Sequence, residues 1–313
     1  MKKALILFGS SDWKKKDILS DEKYREAYEY LYTFAESRGL DLYRASFDWY
    51  DAKKKLFKYA WTFKDGKWKR VKRLKPDIVY DKAKSSVDAY YIKSLIRMDY
   101  TLVNHPEFTH FVNNKYLASL IFPDHFKKYY RVDSSEDLLR VRDEISSDKV
   151  VLKPIKGSGG EGVEILNDRE MDDFEVNNTL IAQEFVDSSS GIEDIVSGVH
   201  DLRLVFVNDD LVYSYVREPA AGSLLANVSK GGTMKIVEKH ELPPSVFGII
   251  EDVQEKFSFY HPKVYTIDLI FDENQKPWII EFNTMPGIYF SPGQEKWRDR
   301  MYESLINMLK NEA

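Results

Sequence analysis

The chain has 313 residues, with 46 Lys and Arg against 51 Asp and Glu and no cysteine. That length exceeds what one compact domain usually holds, so two or three are expected; 43% hydrophobic and 31% charged residues exclude disorder and fibrous folds. Disulfides, thiolate catalysis and cysteine-based zinc sites are excluded too.

No apolar run nears the ~18 residues of a membrane span. Residues 4–8, after Lys2-Lys3, read as a buried strand rather than a signal peptide, so a cytoplasmic protein is expected. The charge is uneven: residues 1–110 hold 24 basic against 16 acidic side chains, and residues 111–313 hold 22 against 35. The densest basic stretches are Lys53-Lys54-Lys55 and Lys67-Trp68-Lys69-Arg70-Val71-Lys72-Arg73. Without a recognised nucleic-acid module they read as solvated surface or as a place for an anionic small molecule or peptide.

In chain order, residues 3–9 form a strand, and Ser20 caps a helix whose first turn holds Asp21 and Glu22. Tyr24, Tyr28, Leu31 and Phe34 recur at helical spacing, and Gly39 marks the stop. A strand follows at 42–45, and Asp65-Gly66 between Trp61-Thr62-Phe63 and Trp68 reads as a hairpin turn. Residues 77–81 make a strand, 87–97 a helix and 101–103 a strand. This alternation argues a small α/β domain over residues 1–110.

A short helix at 114–122, a helix at 135–145 and strands at 149–152, 163–166 and 180–186 then describe a small lobe over 111–190. The remainder, 191–313, holds two strand pairs, 202–206 with 211–215 and 264–271 with 278–282, and a closing helix at 294–310. Register within the second pair brings Asp268 and Glu281 toward a common point.

Gly157-Ser158-Gly159-Gly160-Glu161-Gly162 fits G-x-G-x-x-G, but an extended stretch follows it where a dinucleotide fold requires a helix. Protein-kinase signatures and a Walker loop are absent. What remains is a strand-loop-strand flap whose small residues let backbone N–H groups approach phosphates. Lys153 precedes it and would set a cation against a phosphate. Asp268, between Ile267 and Leu269, and Glu281, after Ile279-Ile280, place acids in apolar strands, where an unpartnered carboxylate is costly. With Asn283 they form an oxygen set suited to magnesium.

The order of these segments resembles the ATP-grasp superfamily, in particular its carboxylate-amine ligases such as glutathione synthetases and ribosomal-protein glutamate ligases. The resemblance covers about 110–292 and implies an ATP-grasp fold of α/β class, with α+β lobes behind an N-terminal α/β domain. It makes Lys115 and Lys153 the phosphate-binding lysines and Gly157, Ser158, Gly159, Gly160 and Gly162 the lid. It makes Gln183, Glu184, Phe185 and Val186 the adenine-binding segment between lobes. Asp201-Leu202-Arg203 resembles a D-x-R element, and Asn227 with Lys230-Gly231-Gly232 resembles N-x-x-[RK]-G-G, which puts Lys230 at the nucleotide. Asp268, Glu281 and Asn283 match its magnesium ligands. Asn114 stands where the family often has Asp, and Leu225 stands where the glutamate ligases carry an arginine. The segment 49–75 has no counterpart and is expected to shape the acceptor site.

The resemblance implies ATP and one or two Mg2+ ions, with Mn2+ as a substitute. A small-molecule or peptide carboxylate would form an acyl phosphate for capture by an amine. Lys153, Arg203 and Arg217 are the expected catalytic cations; Arg217 alternatively pairs with Glu218, and His200 packs. An ATP-grasp kinase acting on an anionic or polyol substrate is the first alternative, a noncatalytic ATP-binding protein the second. A homo-oligomer is compatible with the sequence; a nucleic-acid partner is not expected.

Overall fold

The structure is a computed structural model that describes residues 1–9, 21–84, 86–157, 160–220 and 232–313. Three sheets organise it. The first is built around β1 (Lys2–Phe8), whose apolar residues pair in parallel with β2 (Leu40–Ser46) on one side and β6 (Ile78–Asp81) on the other. β7 (Thr101–Val103) extends it beyond β6. The helices α1 (Glu22–Ser37) and α2 (Val87–Asp99) connect these strands, as the alternating pattern requires.

The cap of α1 differs from expectation. The Asp21 side chain accepts from the Tyr24 N–H at 3.2 Å, so the helix begins one residue later, and Ser20 lies outside the described residues. A carboxylate at that position satisfies an orphan N–H and suits the helix dipole together. The stretch 49–75 adds the short β3 (Tyr50–Asp51) and a hairpin of β4 (Leu56–Lys64) and β5 (Lys67–Leu74) to the β2 edge. Asp65 and Gly66 both have positive φ, 53° and 69°, which is the backbone a tight two-residue hairpin turn demands.

The second sheet has the order β10 (Glu164–Asn167), β9 (Lys149–Pro154), β11 (Leu180–Glu184), β8 (Tyr129–Val132), with α5 (Ser135–Glu144) and α6 (Asp168–Asp173) over one face. Alternation in β9 buries Val150 and Leu152 in a core with Leu138, Val141 and Met171. Lys149, Val151 and Lys153 therefore face the other way.

The third sheet runs β14 (Thr233–Val237), β13 (Asp210–Glu218), β12 (Asp201–Val207), β15 (Val264–Phe271), β16 (Pro277–Asn283). One face of it, with Leu202, Leu204, Phe206, Val216, Ile267 and Phe282, packs on α3 (Pro106–Val112), α4 (Lys115–Ile121) and α7 (Pro244–Lys256). Val205, Val207 and Tyr213 instead share a core with α1 and with α8 (Glu295–Asn311), which ties the last helix to the first sheet. The α7 and α3 helices and strands β8 and β14 had no counterpart in the sequence pattern. Among the described residues, no helix is long and apolar enough to cross a membrane.

Candidate functional site

A cleft of about 310 Å³ lies between the second and third sheets. It has the size of a small-molecule site. Its upper wall comes from the exposed face of β9, Lys149, Val151 and Lys153, from Ile165 of β10 and from Val163 just before it. Gln183 pairs in register with Val151 and lines the wall with Phe185 and Val186. Glu184 is buried on the same strand and is not among the lining residues.

Lys153 is 7% exposed. Its ammonium donates to the Tyr129 hydroxyl at 2.8 Å, which in turn donates to the Ile280 carbonyl at 3.1 Å. Burial, aided by the Lys115 charge and opposed by Glu281, pushes its pKa down to about 7. Lys115 is the first residue of α4, which Asn114 caps by accepting from the N–H groups of Tyr116 and Leu117 at 3.1 Å each. An asparagine thus does the capping work of the more usual aspartate. The Lys115 ammonium donates to the Gly157 carbonyl at 2.7 Å and stands 3.6 Å from Glu281.

The flap is described at Gly157 and from Gly160 onward; Ser158 and Gly159 lie outside the described residues. Gly157 has φ 134°, and Gly162 has φ 69°. A Cβ on Gly162 would also approach Pro154 to 3.1 Å, so the return of the flap requires glycine there.

The floor is one face of the third sheet. Period-two alternation puts Asp201 and Arg203 of β12, Tyr215 and Arg217 of β13, and Glu281 and Asn283 of β16 on that face. Register aligns Arg203 with Asp268, Asp268 with Glu281, and Asp201 with Arg217, with a bulge following Asp268. Arg203 grips Asp268 bidentately, with Nε at 2.6 Å from Oδ1 and Nη2 on Oδ2. Arg217 bridges Asp201 and Asp268, the latter at 2.8 Å. The partner of Arg217 is therefore Asp201 across the strands, not its neighbour Glu218.

Asp268 is fully buried; burial alone would raise its pKa, but Arg203 and Arg217 outweigh it and hold the carboxyl below its ordinary value. Burial pushes Asp201 the other way, against the pull of Arg217. The Asp268 charge adds to the rise, and Asp201 Oδ1 has no hydrogen-bond partner among the described residues. Glu281 lies 3.6 Å from Arg203 and accepts from the Asn283 amide at 3.0 Å.

The expected residues Lys115, Lys153, Gly157, Gly160, Gln183, Phe185, Val186, Arg217 and Glu281 all line this cleft. Arg203, Asp268 and Asn283 sit beside it on the floor. Asn227, Lys230, Gly231 and Leu225 lie outside the described residues. His200 also lines the cleft, but its Nε2 accepts from the Phe271 N–H at 3.1 Å and its Nδ1 faces the Gly198 carbonyl at 3.0 Å, which is a packing role.

Three contributors escaped sequence reasoning. Tyr129 orients Lys153; Asn113 clamps Thr284 through both its amide atoms; and Asn104 holds the Thr284 carbonyl at 2.9 Å. The two asparagines fix the turn directly after Asn283.

The sequence model of the ATP-grasp domain matches residues 113–287, more than half the chain and the whole of the cleft's lining. The chain belongs to the ATP-grasp family. No curated protein matches it. The solved ATP-grasp structures it resembles share the fold at low identity. It is 13% identical to the D-alanyl-alanine synthetase A from Vibrio cholerae O1 biovar eltor, with a TM-score of 0.66 over 99% of this chain and 98% of the other. It is 16% identical to a Chryseobacterium gregarium RiPP-associated ATP-grasp ligase, solved with ADP and a leader and core peptide, at TM-score 0.62 over 100% and 98%. The ligase PsnB with minimal precursor, Mg and ADP gives TM-score 0.60 and 11% identity over 98% of each chain.

Proposed function

We propose that this ATP-grasp protein is an ATP- and magnesium-dependent ligase that joins a carboxylate to an amine. The observation that carries the reading is the position of Lys115, whose ammonium reaches both the flap carbonyl of Gly157 at 2.7 Å and Glu281 at 3.6 Å. One cation thereby joins the two halves of a polyphosphate site. The solved structures sharing the fold are ligases by description, one of them with magnesium and ADP.

Glu281 and Asn283, side by side, supply the hard oxygen donors magnesium takes. Asp268 fits as a third ligand only by exchange, because its oxygens accept from Arg203 and Arg217. When bound, magnesium would act as a Lewis acid that neutralises phosphoryl charge. The chain's own residues do the rest. Lys115 and Lys153 hold phosphate oxygens, Phe185, Val186 and Gln183 enclose the adenine, and the flap excludes water from the acyl phosphate.

In the first step a carboxylate oxygen of the substrate attacks the γ-phosphorus, and ADP leaves. In the second, the amine nitrogen attacks the acyl carbon, and phosphate departs while the nitrogen loses a proton. Arg203 and Arg217, on the floor, oppose charge on the phosphoryl group and on the tetrahedral oxyanion. A side-chain nucleophile is not needed. The basic excess of residues 1–110 suits an anionic carboxylate substrate.

The test is magnesium-dependent ADP release with candidate carboxylates, with and without an amine. A ligase forms an amide and releases phosphate only when the amine is supplied. A phosphorylated product formed equally well without amine would instead establish a kinase, and tight nucleotide binding with no turnover would leave a binding protein.

A further inference from the structure

Helix α2 buries Ala89 and Ile96 in the core as expected, yet it also buries a lysine and leaves large apolar residues exposed. Its Lys93 is 2% exposed, whereas Val87, Tyr91, Leu95 and Met98 are 72%, 64%, 45% and 80% exposed. Lys93 is buried because Asp81 at 2.8 Å and the Ala83 carbonyl at 2.7 Å consume its ammonium. The four exposed residues recur at steps of four, four and three, so they form one stripe, roughly 16 Å long at ~1.5 Å per residue. Contiguous exposed apolar surface of this kind marks an interaction site.

The stripe opens into a cavity of about 450 Å³ between α2, α3 and the root of the flap, lined by Tyr90, Tyr91, Thr109, His110, Phe111 and Lys156 among others. Its walls are aromatic, with Tyr90 at 5.9 Å from Tyr91 and 6.4 Å from His110, centroid to centroid. The hydroxyl of Thr109, itself 4% exposed, has no hydrogen-bond partner among the described residues. Thr109 lines the cavity, and an unsatisfied buried hydroxyl is costly.

Lys156 lines the cavity together with Glu107; Arg97, two helical turns beyond Tyr90 and close enough to act on His105, and Lys84, two residues before Ser86, are exposed cations flanking it, and none of the three has an ion-pair partner among the described residues. Of the acids nearby, Asp88 is free to solvent and Glu107 is engaged by Tyr260. We propose that the cavity and stripe together are a docking groove for an acidic peptide segment bearing an aromatic residue. The ring enters the cavity, an adjacent polar group meets Thr109, and flanking carboxylates meet Lys156, Lys84 and Arg97. A single metabolite would fill the cavity and leave the stripe uncovered. A second copy of this chain, packed isologously, would bring the same cations face to face. Because Lys156 adjoins Gly157, a docked peptide lies at the base of the flap.

The test needs no nucleotide and does not depend on the ligase reading. Fluorescein-labelled peptides of about ten residues, built from Glu, Gly and Ser around one Phe, are titrated against the full chain by anisotropy. Saturable binding is expected, weakened at least about tenfold when Phe becomes Ala or Glu becomes Lys in the peptide. The same loss is expected for the protein variants Tyr91→Glu and Arg97→Glu, whose exposed positions preserve folding, checked by circular dichroism. Equal binding of all peptides, or variants that bind like the parent, would overturn the proposal. So would sedimentation showing a dimer that Tyr91→Glu dissociates, because the occupant would then be a second copy.

Discussion

Lys115 and Lys153, on one side of the cleft, rest chiefly on neutral oxygens: a flap carbonyl, a phenol and a strand carbonyl. Arg203 and Arg217, on the other, are bound to the carboxylates of Asp201 and Asp268. Lys115 has one carboxylate, Glu281, at 3.6 Å, and Lys153 has no ion-pair partner among the described residues; on the ligase reading, a bound polyphosphate would supply the missing countercharge. The arginines are already compensated, so they hold the floor together and reach a substrate only by sharing their hydrogen bonds. Proximity to the same cleft thus conceals two different surroundings, and on the ligase reading two different roles, binding for the lysines and architecture for the arginines.

Glu281 stands between the two groups, and its loss tests the comparison most severely. Glu281→Gln keeps the shape and removes the charge that magnesium needs. ADP formation should fall by roughly 10³-fold, several kcal/mol of charge stabilisation at about 1.4 kcal/mol per decade, with the melting temperature little changed. An unaltered rate in a coupled ADP assay would remove Glu281 from the metal site.

Arg217→Met separates architecture from binding. It strips one guanidinium from two buried carboxylates, Asp201 and Asp268, and breaking a buried pair of this kind costs about 3–5 kcal/mol. Urea denaturation should show that loss directly. A variant as stable as the parent would mean that the arginine does not hold the floor.

Lys153→Met should do the opposite. Its stability is expected to hold or rise, because a desolvated ammonium is removed from an apolar strand. Nucleotide affinity should drop roughly 10- to 100-fold, the loss of one charge-assisted hydrogen bond of about 1.5–3 kcal/mol. Calorimetric titration with ADP, set beside thermal unfolding of the same variant, gives both numbers. A destabilised variant with intact affinity would place Lys153 with the arginines.

Much of this layout was legible in residue order. The hairpin at Asp65-Gly66, strand β7 and the strands carrying Asp268 and Glu281 follow from turn chemistry and period-two patterning, which act over a few residues. The two lysines, the flap and the two carboxylate strands were likewise found from local words. Helix α7 was missed because Pro243-Pro244 and the β-branched Val246, Ile249 and Ile250 mask its period; its stability comes from burial against the third sheet. The pairing of Arg217 with Asp201 was not legible either, because it depends on cross-strand register over sixteen positions rather than on the adjacent Glu218. Tyr129 and Asn113 act at still greater separation and carry no local signature.

The smallest expected effect is a pH dependence that only the lysine side should show. Lys153 has its pKa pushed down to about 7 by burial and by Lys115, so above that pH the free protein holds it largely neutral. Polyphosphate favours the charged form and raises the pKa in the complex. Between the free and bound values, each binding event therefore takes up a proton, and affinity weakens as pH rises, by at most about tenfold per unit. Below about 7 the ammonium is already present and this contribution is flat. The nucleotide's own terminal phosphate, with a second pKa of about 6, is largely ionised above about pH 7.5, so the window from there to about 9 reports chiefly the protein group. Calorimetry in buffers of different ionisation heat should report proton uptake approaching one per ADP near pH 8 for the parent and none for Lys153→Met. The arginines stay charged throughout and contribute nothing to it. Binding without proton uptake in the parent would mean that Lys153 is already compensated, and the contrast between the two sides of the cleft would fail.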